Sequence, residues 1–291
     1  MEGGDEYFLS HADGSVCPDL NWCYYQYYKI FKTVYGPNYG EGMVEKLQEA
    51  VHQYNLDCQA KCAEVFVDNE DIVVALCTPL MKRVHELLES SSEVAIMDFS
   101  GNMDRYDTRI GFLIAPSLAG GLPLGIIMTS SESEVLVTKG LKMLQNLYPE
   151  KAFYGRGELG PKVFITDAAK NERNSLASLY PFATLLLCYF HTLQAFLRYI
   201  TQAEHKVKKD DRVAIYDKYK DLVRSKSDEH FENNYQDFIA SEILQRNRKV
   251  YDHVKDAYPN RQQWASCYRS DLIIRGNNTS NLAEANFLLG F

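Results

Sequence analysis

The 291-residue sequence contains no apolar run long enough to cross a bilayer, since a spanning helix needs about 20 consecutive, mostly apolar residues. Its opening stretch, "MEGGDEYFLSHADGS", is acidic and polar, which predicts neither a signal or transit peptide nor a membrane anchor. Regular cysteine spacing is missing as well. The chain has seven cysteines, an odd number, and although Cys58 and Cys62 stand four apart in a helical pattern, no second pair follows to complete a zinc site. Free cysteines in a reducing compartment are therefore expected, and the "NNTS" sequons at 277–280 carry little weight. There is no excess of positive charge: the net charge is −8, which speaks against a general nucleic-acid-binding surface. Finally, the Gly-rich "YGRGELGP" precedes a strand candidate instead of following one, so it matches no phosphate-binding fingerprint.

What is present is ordinary for a globular protein, at 46% apolar and 24% charged residues. The charge is uneven: residues 192–270 hold 15 Lys and Arg against 12 Asp and Glu, whereas the remainder holds 16 against 27. The early chain reads as helical. "WCYYQYYKIFKTVYG" offers Tyr and Phe side chains for a packing face, and Val44, Leu47 and Val51 stand at i, i+3, i+7 in the stretch running on to "CAEVF". "TPLMKRVHELLES" adds a helix with Thr78 as N-cap and Pro79 at the first helical position; His85 within it is expected at the surface or in packing, not as a ligand.

The texture changes at Glu93. "EVAIMDFSG", "DTRIGFLIAPSL" and "LPLGIIMTS" read as three strands, "SESEVLVTKGLKMLQNLYP" as a helix with Val137, Leu141 and Leu144 on one face, "KVFITD" as a fourth strand, "NERNSLASLYP" as a helix, "ATLLLCYFH" as a fifth strand and "TLQAFLRYITQAEHKV" as a helix. Three strands in a meander followed by alternating helices and strands predict a mixed sheet with helices packed on it, the order of a ribonuclease H-like α/β fold.

Two strands end in a carboxylate, at Asp98 and Asp167. In this order the first and fourth strands are neighbours, so both acids can meet at one sheet edge, where ligands of open α/β sheets gather. A third acid, Glu284, follows on a short final helix. Three acidic residues from separate elements suit the holding of two divalent cations, because Mg²⁺ prefers hard oxygen ligands and two such ions can activate an attacking oxygen and stabilise a leaving one. Each residue has a plainer reading: Asp98 as a turn cap with Asp104 and Asp107 as local rivals, Asp167 as a helix N-cap, Glu284 as a solvated helix residue. Cys188 and His191 form a C-x-x-H at the end of the fifth strand. Strand alternation sends them to opposite faces unless the strand ends between them, so packing is favoured for Cys188 and the role of His191 is open.

The segments "TPLMKRVH", "MDFSGNMDR", "AGGLPLGIIMTSSESE", "GPKVFITDAAKNERNSL", "TLLLCYFHTLQAF" and "RGNNTSNLAEA", in this order, resemble the transposases of Mutator-like elements, over most of residues 40–291. The resemblance implies a ribonuclease H-like domain with a DDE triad and a helical insertion before the glutamate. Residue by residue, it places the triad on Asp98, Asp167 and Glu284, with two Mg²⁺ or Mn²⁺ ions, and puts Cys188 and His191 close to the catalytic centre, with a part in arranging the DNA or the active site. It implies DNA as partner, both element ends and target, allows a homo-oligomer, and suggests the nucleus for a chain without a secretory signal. Basic residues of the insertion, Lys206, Lys208, Lys209 and Arg212, and Arg269 and Arg275 near the site, are candidate DNA contacts, with a solvated face as the plainer reading. The expected organisation is a helical region at 1–90, a ribonuclease H-like core at 91–204, a helical insertion at 205–270, and a truncated C-terminal segment at 271–291, because the chain stops seven residues after Glu284, where relatives often carry a SWIM zinc motif. No Cys/His pattern in 1–90 matches the zinc-binding modules of the family. The expected reaction is metal-dependent phosphodiester hydrolysis and strand transfer at element ends; a truncated or decayed copy, or a non-catalytic DNA-binding or protein-interaction module, is the alternative, and an unrelated nuclease of the same fold is a third.

Overall fold

The computed structural model describes residues 18–35, 41–100 and 107–283. The chain divides into two units, the first ending at Asp57 and the second starting at Cys58. No helix among the described residues is long and apolar enough to cross a membrane.

In the first unit, α1 (Leu20–Tyr35) and α2 (Glu41–Asp57) are both helical. The Asp19 carboxylate accepts the Asn21 N–H at 2.8 Å and the Trp22 N–H at 3.4 Å, satisfying N–H groups that the first turn leaves without intrahelical partners. On α1 the side chains of Trp22, Tyr24, Tyr25, Tyr27 and Tyr28 are exposed, and the Tyr27 ring meets those of Tyr28 and Phe31.

Residues 63–76, expected to be helical, form a hairpin of β1 (Ala63–Asp68) and β2 (Asp71–Leu76). Its physical basis is legible in hindsight. "AEVFVD" and "DIVVAL" are β-branched, and the two-residue turn between them starts with Asn69 in the left-handed region (φ 54°), which asparagine tolerates. The chain continues through α3 (Pro79–Leu87), β3 (Val94–Ser100), β4 (Arg109–Ser117), β5 (Gly120–Thr129), α4 (Glu134–Leu147), β6 (Val163–Thr166), α5 (Lys170–Leu179), β7 (Thr184–Leu187) and α6 (Tyr189–Thr201). The helix α3 starts as expected: the Thr78 hydroxyl accepts the Met81 N–H at 3.2 Å, with Pro79 at the first helical position.

The sheet has seven strands in the order β1-β2-β5-β4-β3-β6-β7. Pairs from β1 to β3 along this order are antiparallel, whereas β3–β6 and β6–β7 are parallel. The protein is thus an α/β fold with a mixed sheet flanked by helices. One face of α4 buries Val137, Leu141 and Leu144 against it. The approach is close at Gly140, where a β-carbon would stand 2.5 Å from Ile127, so the helix can sit this near the sheet only without a side chain there.

Beyond α6, residues 205–270 hold α7 (Lys209–Val223), α8 (Asp228–Ala240), α9 (Arg248–Ala257) and short helical turns, with no strand. They pack with α6 around a separate core in which the rings of Phe196 and Tyr219 stack at 3.8 Å between centroids, beside Trp264. The closing segment returns to the sheet: Ile274 and Ala283 are buried in the same core as β3 and β6.

Candidate active site at the ends of β3 and β6

Parallel pairing sets the geometry. β3 and β6 align Val94 with Val163, Ala95 with Phe164 and Ile96 with Ile165. The pairing ends at Ile96 and Ile165; Asp98 stands two residues beyond it in β3, and Asp167 stands two residues beyond it, directly after the last residue of β6. Asp98 lies within β3 and is 6% exposed. Asp107, its local rival, ion-pairs with Arg109 at 2.8 Å; Asp104 lies outside the described residues.

Asp167 is not the N-cap of α5. That position belongs to Ala169, which has no side chain to cap with. Instead the Asp167 carboxylate accepts the Ala169 N–H at 2.8 Å, an Asx-type turn that braces the exit from β6. The helix-cap reading therefore fails for a specific reason: the chain takes two further residues to enter the helix.

Glu172 carries chemistry that the sequence reading did not single out. It lies in the first turn of α5, an ordinary place for an acid. Yet it is 3% exposed, and its Oε1 has no hydrogen-bond partner. Burial pushes its carboxyl well above the usual carboxylate range, and the charges of Asp167 and Asp98 push the same way. The neighbouring Arg173 opposes them, but its guanidinium donates to Gln263 Oε1 at 2.8 Å, Thr166 Oγ1 at 3.2 Å and the carbonyls of Leu185 and Leu186. Glu172 and Asp167 line a cavity of about 240 Å³ together with Phe99, Glu132 and Val137. Phe99 is held there by a cross-strand pairing with Gly111, where a β-carbon would stand 2.5 Å from its ring. Nothing in "AAKNERN" announces that its glutamate is buried.

A carboxyl whose folded pKa is raised contributes stability below its unfolded pKa and loses it as pH rises through the folded one. At neutral pH the group opposes folding. Glu172→Gln is expected to raise the unfolding free energy by about 1–3 kcal/mol at pH 7.5 in EDTA, with a smaller gap at pH 5. Urea denaturation at both pH values measures it.

The C-x-x-H differs from the expected strand-end arrangement. β7 ends at Leu187, and Cys188 is the N-cap of α6, so His191 sits in the helix's first turn. Strand alternation no longer applies and the two side chains meet. Cys188 is 0% exposed, which removes it as a DNA contact. Burial opposes ionisation of its thiol. Hydrogen bonds with His191 and Ser280 outweigh it and hold the thiol below its ordinary value. His191 is raised by its hydrogen bond with Cys188, against burial, and the charges of Cys188, Asp98 and Asp167 add to the rise. Asp98 and Asp167 thus act on the same two groups, Glu172 and His191.

Arg269 also leaves the set of DNA contacts. It is 3% exposed, stacks over Tyr189 at 4.0 Å, and donates to the carbonyls of Leu187 and Gln263 and to Asn278 Oδ1. Burial lowers its pKa to about 10, against the opposing pull of Tyr189 and Cys188. Arg275 pairs with Glu93 and Glu89. Lys206, Lys208 and Lys209 are exposed near the start of α7, and Arg212 is half-buried with its Nε donating to the Val207 carbonyl at 3.2 Å. His85 is a packing residue, fully buried.

Glu284 lies outside the described residues, which end at Ala283. Two of the three expected ligands, Asp98 and Asp167, are therefore described, and both are hard oxygen donors of the kind Mg²⁺ and Mn²⁺ take. Among the described residues, no group of three or more His, Cys, Asp or Glu side chains is arranged to hold a metal ion. Comparison with protein-family models gives no match for this chain, and neither does comparison with curated proteins.

Proposed function

We propose that the chain is the catalytic core of a DDE-type DNA transposase of ribonuclease H-like fold, similar to those of Mutator-like elements. The observation that carries this reading is that Asp98 and Asp167 each stand two residues beyond the last pair of the parallel neighbours β3 and β6, with both charges acting on Glu172 and His191. The strand order supports it: β5-β4-β3-β6-β7 is an antiparallel meander extended by two parallel strands, the order expected of that fold.

Asp98 and Asp167 would hold the metal ions, with Glu284 as the third acidic ligand on the strength of the resemblance. When bound, a pair of Mg²⁺ or Mn²⁺ ions would activate the attacking oxygen and stabilise the leaving one. The protein's own contribution is orientation. Burial within β3 limits the freedom of the Asp98 side chain, and the bond from the Ala169 N–H restrains one oxygen of the Asp167 carboxylate. In the first step water attacks phosphorus at the element end and the P–O3′ bond breaks, freeing a 3′-hydroxyl. That hydroxyl then attacks a target phosphodiester and displaces its 3′ oxygen. The exposed lysines at the start of α7 offer a face for the phosphate backbone, DNA is the partner, and the nucleus the site of action.

A second reading is a transposase-derived module that binds DNA or protein without cutting, and the net charge of −8 supports its protein-binding form. Nicking of a supercoiled plasmid separates the two. The catalytic reading expects nicked product with Mn²⁺ and none with EDTA. DNA retention in EDTA without nicking in Mn²⁺ would favour the module.

A further inference from the structure

Three cysteines converge where the chain enters the sheet. α2 ends at Asp57, and Gln59 takes the left-handed region (φ 51°), a common way for a helix end to turn its chain aside. Across this turn the thiols of Cys58 and Cys62 hydrogen-bond to each other. Cys62 precedes Ala63, which pairs with Leu76, and so stands opposite Cys77, whose N–H donates to the Cys62 carbonyl at 2.8 Å. The three differ in access: Cys62 and Cys77 are fully buried, whereas Cys58 is half-buried. They differ in engagement too. The Cys77 thiol donates to the Leu124 carbonyl at 3.7 Å, and burial pushes its pKa up to about 12. Lys82 holds a cation nearby, its Nζ donating to the Lys61 carbonyl at 2.8 Å. Burial raises the Cys62 thiol as well, against the pull of that cation. An enclosed thiol is shielded from an oxidant in solution, and its half-buried neighbour is not.

We propose that Cys58 and Cys62 form a reversible oxidation site that takes a hydroperoxide as substrate and closes to a disulfide, with Cys58 reacting first and Cys62 resolving it. The Cys58 thiolate attacks one peroxide oxygen, the O–O bond breaks, and the departing hydroxide takes up the Cys58 proton as water. Cys58 is then a sulfenic acid, which condenses with a thiol in reach. The Cys62 sulfur attacks the Cys58 sulfur, the S–O bond breaks, and hydroxide leaves with the Cys62 proton as a second water. Together the two thiols give up two electrons, and the peroxide is reduced by them. The sulfurs need only close from hydrogen-bond contact to a bond of about 2.05 Å. Cys77 is the bystander, held by its own bond to Leu124. The product is a covalent ring over residues 58–62, the turn that leads into β1, and it is independent of the transposase chemistry.

Hydrogen peroxide titration of the full chain tests it. Remaining thiols are alkylated with iodoacetamide, and the denatured chain is digested with trypsin without reductant. Trypsin cuts after Lys61, between the two cysteines, so Cys58 lies on peptide 47–61 and Cys62 and Cys77 on peptide 62–82. The expected product is the two peptides joined, released again by dithiothreitol. Half of the chain is expected to reach it at a peroxide concentration about tenfold below that which oxidises half of Cys267, a half-buried thiol used as the reference. Cys77→Ala should leave the joined product in place. Cys62→Ser should remove it and carry Cys58 on to the sulfinic acid. Cys58→Ser, a change at a half-buried position that the fold tolerates more easily, should remove it and leave Cys62 reduced. A disulfide inside peptide 62–82, loss of the joined product in Cys77→Ala, or sulfinic acid at Cys58 of the unaltered chain without joined peptides would each overturn the proposal. So would a peroxide dependence equal to that of Cys267.

Discussion

Asp98→Asn and Asp167→Asn are each expected to slow Mn²⁺-dependent nicking on the order of a thousandfold, the equivalent of several kcal/mol of lost charge stabilisation. Asparagine keeps the size of aspartate and one carbonyl oxygen, so Asp167→Asn retains an acceptor for the Ala169 N–H and the turn after β6 survives. What disappears is negative charge just beyond the last pair of two parallel neighbouring strands. Because the two acids serve one task, the double variant should be little slower than either single one. Single-turnover rates with matched thermal denaturation curves give the comparison. Undiminished nicking by either variant would remove that aspartate from the site.

The second large effect lies away from the site. His85 is expected to make the protein acid-sensitive, lowering stability by about 3 kcal/mol as pH falls from 7 to 4. Its Nδ1 accepts the Phe153 N–H at 3.2 Å, which leaves Nε2–H to donate to the Leu124 carbonyl at 3.0 Å. The bond from Phe153 requires the neutral ring, because protonated Nδ1 cannot accept; the bond to Leu124 survives protonation. Tyr148 and Phe153 pack against it at 4.4 and 4.7 Å between centroids. Burial lowers the His85 pKa from 6.5 to about 4, with the bond to Leu124 pulling the other way. The sign follows directly. The unfolded chain takes up the proton first, so the full stability is present above pH 6.5 and is lost as pH falls towards 4. His85→Gln keeps a donor and an acceptor but cannot titrate. Urea denaturation of both proteins between pH 7 and 4 should show the unaltered chain losing about 3 kcal/mol more than the variant; parallel losses would contradict the assignment.

The parts of this fold that the sequence made legible are those written in continuous apolar runs. "VAIMD" and "VFITD" announce strands buried on both faces, and their terminal aspartates could be picked out because each breaks the pattern. The Thr-Pro start of α3 was equally plain, since both residues act through their own backbone neighbourhood. Three features were not legible. The hairpin at 63–76 was absorbed into a helical pattern, although "VFVDNEDIVV" sets two short apolar runs around a polar turn. The meeting of Cys188 with His191 depends on β7 ending at Leu187, and a boundary shift of a few residues changes which face each side chain takes. The burial of Glu172 depends on how α5 packs against the strand ends, a tertiary fact that local composition does not carry. Arg269 teaches the converse: a basic residue near a presumed DNA site proved to be an internal brace.

The central claim is that Asp98 and Asp167 jointly hold a divalent cation. The most direct test is Mn²⁺ binding by the full chain, followed by the loss of the free-ion electron paramagnetic resonance signal. The unaltered chain is predicted to bind Mn²⁺, and Asp98→Asn and Asp167→Asn are each predicted to lose most of that binding. Equal Mn²⁺ affinity in all three proteins would contradict the claim.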